Sequence, residues 1–317
     1  MTTLKSSGSN KNNKIICLRP ESDFEEFGEV APSHFNVIYL SPNDRSLIRK
    51  ASDASVLLIP AVGPKISNDI FSKTSLKMVQ VTGAGIDRLD QDFCARNNIK
   101  VCNVLGASAK SVAEYCIFAA LTISRRLSKT TDEILLGNYK ELRGNIIQDR
   151  MFSLSGLTLG VIGFGSIGQE TAKMFSALGC QIQYYDPSDP KVAENLSQIA
   201  VKNGKEELLR TSDIISIHVP LIDQTKNLIS MQEFSLMKKT SILLNASRGG
   251  VVDEHALSQA IQDKKIKGAA IDVFTSEPPE KNNPLLNLPD EFRDNIILTP
   301  HIGGITAQSW SELFSRS

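Results

Sequence analysis

The sequence lacks an excess of charge of either sign. Its 317 residues contain 35 lysines and arginines and 35 aspartates and glutamates, so the formal net charge is zero. A neutral chain has no overall field to attract nucleic acid or an anionic membrane, and we expect neither as a partner. The polar start of the chain has no signal-peptide pattern, and no apolar run approaches the length of a membrane span. These absences predict a cytoplasmic protein.

Cysteine is also scarce, and its spacing carries no pattern. The five cysteines are an odd number, form no CxxC pair and show no zinc-ligand spacing with histidine: Cys17, Cys94, Cys102, Cys116 and Cys180. This excludes a disulfide framework and predicts no bound metal. The apolar fraction of 41% is ample for buried cores, and the length suggests two domains of about 150 residues each.

Short apolar runs rich in β-branched residues recur in the first third of the chain. Residues 1–13 precede them and are too polar to fold, so they predict a disordered tail. The runs are too short for core helices and are typical of buried parallel strands, which predicts a βαβ domain. They occupy residues 15–18, 36–40, 55–60, 77–81 and 100–104.

A second series of strands follows a long apolar helix at residues 111–125. We predict that Ser111 and Glu114 form a capping box at its start and that the helix connects two domains. Six further strands with intervening helices predict a doubly wound parallel sheet. They are expected at 158–162, 181–185, 214–218, 241–245, 268–273 and 296–299. The fold class is therefore α/β, with two βαβ domains of Rossmann-like or flavodoxin-like type.

The clearest motif is a glycine-rich turn between a strand and a helix. Gly163, Gly165 and Gly168 form GxGxxG, which lets a pyrophosphate approach the backbone and the helix N-terminus. Asp186 ends the next strand, where an acid can bind both adenosine ribose hydroxyls. No arginine follows it in residues 187–190 to neutralise a 2′-phosphate. This combination favours NAD over NADP.

Polar residues that follow the later strands are candidates for chemistry, because ligands bind beyond the carboxyl ends of parallel strands. Arg248, Glu277 and His301 could together reduce a carbonyl. Each also has a plain alternative: Arg248 as an interdomain ion-pair partner, Glu277 as an acid of a turn, and His301 as a buried structural histidine. His218 and Asp272 are expected to line the cofactor pocket.

These motifs occur in a characteristic order. GFGSIG with Asp186, HVPL, NASRGGVVDE, AAIDVF with EPP, and TPHIGG together resemble the D-isomer-specific 2-hydroxyacid dehydrogenase family, over about residues 56–304. The resemblance implies an NAD-binding Rossmann domain at 107–299 inserted into a substrate-binding domain at 14–106 and 300–317, with a cleft between them. It also implies a homodimer that pairs through the helix of residues 111–125.

The resemblance further implies roles for individual residues. Arg248 would bind the substrate carboxylate and carbonyl oxygen, His301 would be the general acid and base for hydride transfer, and Glu277 would orient the imidazole. Backbone at Ala84 and Gly85 would hold the carboxylate, opposite Val62 and Gly63, with Asp87 capping the next helix. The remaining cofactor-binding residues would be Ser166, Ile167, Val219, Pro220, Thr225, Ala246, Ser247 and Gly303.

The resemblance points to an oxidoreductase that interconverts a small 2-keto acid and its D-2-hydroxy acid. Phosphoglycerate dehydrogenases tend to have arginine where this chain has Ala61 and Val81, so a phosphorylated substrate is the less favoured alternative. Two other classes stay open. They are an NAD(H)-sensing corepressor-type binding protein and a catalytically idle NAD-binding domain.

Overall fold

The computed structural model describes residues 13–149 and 151–317. The chain divides into two compact units, one running up to Ala107 and taking up Ala307–Ser317, the other formed by Ser108–Thr306. The predicted disordered tail lies outside the described residues except for Asn13. The carbonyl oxygen of Asn13 accepts a hydrogen bond of 2.9 Å from the backbone N–H of Asn36, directly before the first strand.

The first unit contains a five-stranded parallel sheet in the order β2-β1-β3-β4-β5. All five predicted strands form, because apolar side chains on them are covered by helices. The elements are β1 (Lys14–Cys17), α1 (Glu21–Glu25), β2 (Asn36–Tyr39), α2 (Leu47–Ala51), β3 (Val56–Pro60), α3 (Asp69–Ser72), β4 (Met78–Thr82), α4 (Gln91–Arg96) and β5 (Lys100–Asn103). The cap of α4 is Asp90, whose carboxylate accepts from the N–H of Phe93, so the prediction of Asp87 was wrong.

The second unit contains a seven-stranded parallel sheet in the order β12-β11-β10-β9-β6-β7-β8. Its elements are α5 (Ala109–Arg125), α6 (Thr130–Leu135), α7 (Tyr139–Gln148), β6 (Thr158–Ile162), α8 (Ser166–Ala177), β7 (Gln181–Tyr185), α9 (Glu194–Ser197), β8 (Ala200–Lys202), α10 (Lys205–Thr211), β9 (Ile214–Ile217), α11 (Met231–Leu236), β10 (Ile242–Asn245), α12 (Glu254–Gln262), β11 (Gly268–Ile271) and β12 (Ile296–Leu298). The six predicted strands are present. Strand β8 was not predicted, because an edge strand of three residues leaves no hydrophobic run.

Helix α5 begins two residues earlier than predicted and has no capping box. Its N-cap is Ser108, and Ser111 lies inside the first turn, where its hydroxyl shares a hydrogen bond of 2.7 Å with that of Thr306. Val112 and Ala120 of this helix are buried, in the same core as α8 and the sheet. The helix therefore belongs to the second unit through its apolar face.

The segment after β12 is shared between the two units. Residues 300–306 belong to the second unit, whereas the sequence predicts that they belong to the first. One contact that ties them to the second unit is a hydrogen bond of 2.8 Å from the backbone N–H of His301 to the Asp272 carbonyl. The last helix, α13 (Ala307–Ser315), belongs to the first unit, where the Phe314 ring packs 4.8 Å from that of Phe24. Among the described residues, no helix has the length and apolarity needed to cross a membrane.

Candidate active site

The glycine-rich turn joins β6 to α8 and is shaped by close backbone packing. Gly163 has a φ of +90°, and a Cβ there would overlap the backbone carbonyl of His218; a Cβ at Gly168 would overlap the Gly163 carbonyl. Nothing lies within 4 Å of the position that a Cβ would take at Gly165. Two glycines are thus required by the fold, while Gly165 borders open space in front of Ser166 and Ile167, the first residues of α8. This arrangement fits a pyrophosphate.

Asp186 lies directly after β7 and is fixed by its neighbours. One carboxylate oxygen accepts from the N–H of Phe164 at 2.7 Å, and the other accepts from the N–H and hydroxyl of Ser188 at 2.8 and 2.6 Å. Burial alone would raise the pKa of Asp186, but these hydrogen bonds hold it below the ordinary value. A charged, oriented carboxylate therefore lies beside the glycine turn, where a ribose would bind.

The HVPL segment lines the same turn from β9. The His218 ring is buried, which lowers its pKa to about 3, so it is neutral. Its Nε2 and the Ser216 hydroxyl share a hydrogen bond of 2.8 Å, while its Nδ1 has no hydrogen-bond partner among the described residues. Val219 contacts the glycine turn. The Thr225 hydroxyl is engaged with the Pro220 carbonyl and the Ile222 N–H, so it shapes this loop.

Arg248 lies in a tight loop after β10. The Asn245 side chain closes the loop: its oxygen accepts from the N–H and hydroxyl of Ser247, and its amide donates to the Arg248 carbonyl at 3.2 Å. The Arg248 guanidinium donates to the Ser247 carbonyl at 2.7 Å. Gly249 completes the arrangement, since a Cβ there would overlap the backbone carbonyl of Phe274, in the turn that leads to Glu277.

Gly249→Ala should destabilise the second unit by about 2–3 kcal/mol, because either the loop or the Phe274 turn must move to admit the methyl group. Urea unfolding with a near-constant m-value would measure the change. Gly144→Ala is the matched control: Gly144 lies inside α7 with open space around it, so alanine should be neutral or slightly stabilising. Equal stability of the two variants would contradict this account of the loop.

Glu277 and His301 form a hydrogen-bonded pair. The His301 Nδ1 lies 2.9 Å from one Glu277 carboxylate oxygen and 3.2 Å from the other. Burial would raise the pKa of Glu277. The hydrogen bond and charge of His301 act in the opposite direction, as do the hydrogen bond from the Phe274 N–H and the charge of Arg248, so the pKa lies below its ordinary value. Arg248, Glu277 and His301 are therefore close enough to interact, and Glu277 leaves the Nε2 of His301 available for a substrate.

Asp272 holds the loop that carries His301, a role that the sequence did not reveal. It is 1% exposed, and its carboxylate accepts from the Thr299 hydroxyl at 2.6 Å and from the N–H groups of Ile302 at 2.8 Å and Gly303 at 2.7 Å. His301 has a φ of +56°, a left-handed conformation that costs energy in a residue with a side chain. Asp272 thus acts as a positioning residue that offsets this strain.

Asp272→Asn should destabilise the protein by about 1–3 kcal/mol, because an amide group would face buried N–H donors and leave at least one of them unpaired. Thermal unfolding monitored by circular dichroism would measure this loss. Asp290→Asn, which removes an exposed acid paired with Arg293, should leave the midpoint nearly unchanged. An Asp272→Asn variant as stable as the wild type would mean that the loop carrying His301 keeps its conformation without the Asp272 carboxylate.

The substrate loops predicted in the first unit follow neighbouring strands. Val62 and Gly63 follow β3, and Ala84 and Gly85 follow β4. Arg88 is buried between them and donates to the carbonyl oxygens of Pro60 at 2.5 Å and Pro64 at 2.8 Å. The sequence alone predicts no role for this residue. The Ala84 carbonyl accepts from the Asn103 amide at 2.6 Å. Both loops are therefore held at the carboxyl edge of the same sheet.

Taken by itself, the second unit has the topology and the glycine-rich turn of a dinucleotide-binding Rossmann domain. Residues 117–303 match the family described as D-isomer specific 2-hydroxyacid dehydrogenase, NAD binding domain. The chain belongs to this family, and its cofactor is NAD.

Two similar proteins agree with the family assignment. The chain is 38% identical over 287 residues to a D-3-phosphoglycerate dehydrogenase from Methanocaldococcus jannaschii, covering 90% of this chain and 51% of the relative. It is 35% identical over 267 residues to a hydroxypyruvate reductase from Thermotoga maritima, covering 83% and 82%. The chain thus spans about half the length of the first relative and most of the second.

A solved structure shows the same fold. The D-lactate dehydrogenase from Aquifex aeolicus, complexed with NAD and lactic acid, superposes with a TM-score of 0.81 at 29% identity, covering 96% of this chain and 92% of that one. Both units of the chain therefore have counterparts in a known family structure.

Proposed function

We propose that this protein reduces a small 2-keto acid to its D-2-hydroxy acid with NADH and catalyses the reverse oxidation with NAD. The observation that carries the proposal is the Glu277–His301 pair, which lies close to Arg248 at the carboxyl edge of the sheet. A proton donor and a fixed cation are what reduction of a carbonyl beside a carboxylate requires. The same edge carries the glycine turn and Asp186.

The three residues would divide the work between binding and proton transfer. The planar guanidinium of Arg248 would bind the substrate carboxylate and the carbonyl oxygen. His301 would donate a proton from Nε2 to that oxygen as it becomes a hydroxyl group, and would take the proton back in oxidation. Glu277 would hold Nδ1 protonated and stabilise the charged ring. Bound NADH, held at Gly165 and Asp186, would supply the hydride.

The two units would then have separate roles. The second unit would bind the coenzyme, with Ala246, Ser247, Asp272 and Gly303 lining the nicotinamide end. The first unit would bind the substrate through the loops that follow β3 and β4. We also infer a homodimer, which light scattering on the purified chain would test.

The substrate class is tested by NADH consumption with a panel of keto acids. The panel contains glyoxylate, hydroxypyruvate, pyruvate, phenylpyruvate, 2-ketoisocaproate, oxaloacetate and phosphohydroxypyruvate. We expect the unphosphorylated acids to be the better substrates, because Ala61 and Val81 offer a phosphate no cation and the nearby Arg88 donates to Pro60 and Pro64. The likeness to D-3-phosphoglycerate dehydrogenase makes phosphohydroxypyruvate the second candidate, and its ranking above the others would favour that activity.

Asp186→Ser should lower the preference for NADH over NADPH by about tenfold, or about 1.4 kcal/mol, because the repulsion of a 2′-phosphate disappears. The ratio of kcat/KM values for the two coenzymes measures the effect. Asp189→Ser, which removes an exposed acid three residues later, should leave this ratio nearly unchanged. If both variants changed the ratio equally, general negative charge, and not Asp186, would set the preference.

A further inference from the structure

A cavity lies in the second unit at the edge of the sheet opposite the candidate active site. Thr240 and Lys267 line it just before β10 and β11, and Asn295 lines it just before β12. Arg248, Glu277 and His301 all follow the carboxyl ends of these same three strands. The cavity has a volume of about 680 Å³, within the range of small-molecule sites.

The cations of this cavity exceed its anions once the internal ion pairs are counted. Two of its acids are neutralised: Asp149 pairs with Arg126 at 2.6 Å, and Asp294 pairs with Lys129, just outside the cavity, at 3.0 Å. Three lysines have no carboxylate within ion-pair distance in the described part of the chain, and Glu291 is the remaining acid. These lysines are Lys239, Lys264 and Lys267.

Of the three lysines, Lys267 gives the strongest indication that the cavity binds an anion. Its ammonium group lies 5.1 Å from the centroid of the Phe152 ring. Burial together with the nearby Arg126 charge lowers its pKa, although the charge of Asp149 acts in the opposite direction. A half-buried ammonium group with no carboxylate at ion-pair distance is unfavourable, and a bound anion would relieve that cost. The site therefore favours a ligand with negative charge.

The cavity also offers apolar and aromatic surface. Ile123, Ile261 and Ile266 are buried at its base, and Phe292 lines the wall. The Phe152 side chain is 40% exposed, so its ring can receive a flat group. An inorganic anion would use only the lysines, whereas a ligand that joins a flat ring to several negative charges would use both parts of the lining.

We propose that this cavity binds a nucleoside di- or triphosphate, with the phosphates on Lys239, Lys264 and Lys267 and the base against Phe152. Lysine binds phosphate as a point charge, so three lysines suit a chain of phosphate groups. This site is separate from the NAD site, so nucleotide binding can be measured without any catalytic turnover.

Calorimetric titration of the full chain with ATP, in low salt and with the coenzyme site saturated by NADH, tests the proposal. ATP should bind once per chain, and Lys267→Gln and Lys239→Gln should each weaken it by about tenfold, the loss of one charged hydrogen bond. Phe152→Ala should weaken the binding of ATP but leave the binding of pyrophosphate unchanged. Adenosine should bind far more weakly than ATP. Lys265→Gln is the matched control, since Lys265 is exposed, next to Lys264 in sequence and outside the cavity lining.

Three results would overturn the proposal. The first is that ATP gives no heat with the NADH-loaded protein, and the second is that ATP binds all the lysine variants equally, which would locate the nucleotide elsewhere. The third is a dimer, seen by light scattering, that Lys267→Gln dissociates while ATP has no effect, which would assign the cavity to a contact between chains. Each variant should keep the wild-type circular dichroism spectrum and NADH affinity, so misfolding is distinguishable from lost ATP binding.

Discussion

Arg248→Ala should lower kcat/KM for 2-keto acid reduction by about 10²–10³-fold, the usual cost of losing a donor that stabilises developing negative charge on oxygen. Arg248 would contact both the carboxylate and the reacting carbonyl, so kcat should fall and KM should rise. NADH affinity should change little, because the glycine turn and Asp186 lie in other loops. Steady-state kinetics and a separate NADH titration measure the two effects.

Arg248→Lys distinguishes the shape of the guanidinium from its charge. Lysine keeps the charge but lacks the planar pair of donors, so it should recover only a small part of the lost activity. Arg210→Ala, which removes an exposed arginine at the end of α10, is the control and should behave like the wild type. If Arg248→Ala kept most of the activity and lost stability instead, Arg248 would be a structural ion-pair partner.

The strands were predictable because their sequences carry the signal of two-sided burial. Strands β9 and β10 are four-residue apolar or nearly apolar runs whose residues are all buried, and each has its own motif at the carboxyl end. The start of α5 was predicted wrongly for a related reason. A serine followed three residues later by a glutamate fits a capping box, but Ser111 lies inside the first turn, where its hydroxyl is hydrogen-bonded to that of Thr306, nearly two hundred positions away.

The site was predictable in its residue types but not in its supports. GxGxxG, Asp186 and the Arg–Glu–His set follow strands that the pattern locates, so their convergence could be expected. The role of Gly249 depends on the Phe274 carbonyl, and that of Asp272 depends on N–H groups of a loop about thirty residues later. Such contacts are set by the packing of β10, β11 and β12 and leave no local signal in the sequence.

His301→Asn should lower the rate of 2-keto acid reduction by about 10²–10⁴-fold, because asparagine keeps a polar side chain but cannot transfer a proton. NADH affinity should remain. His255→Asn is the matched control, since His255 lies exposed on α12. A variant that kept full activity would show that another group, or water, supplies the proton.

Glu277→Gln separates the positioning role of the carboxylate from the chemistry of the imidazole. The pKa of Glu277 is held below its usual value, so the carboxylate is charged at neutral pH and loses its charge only as the pH falls through that lowered value. At pH values above the pKa of Glu277, the negative charge of its carboxylate favours the protonated imidazole of His301 that reduction needs. Glutamine keeps the hydrogen bond but not the charge, so reduction by the variant should fall off at a lower pH than in the wild type. The pH profile of kcat/KM measures this shift, which a purely structural loss would not produce. Profiles that differ only in height would assign Glu277 to the fold of its turn and leave His301 to work without a charged partner.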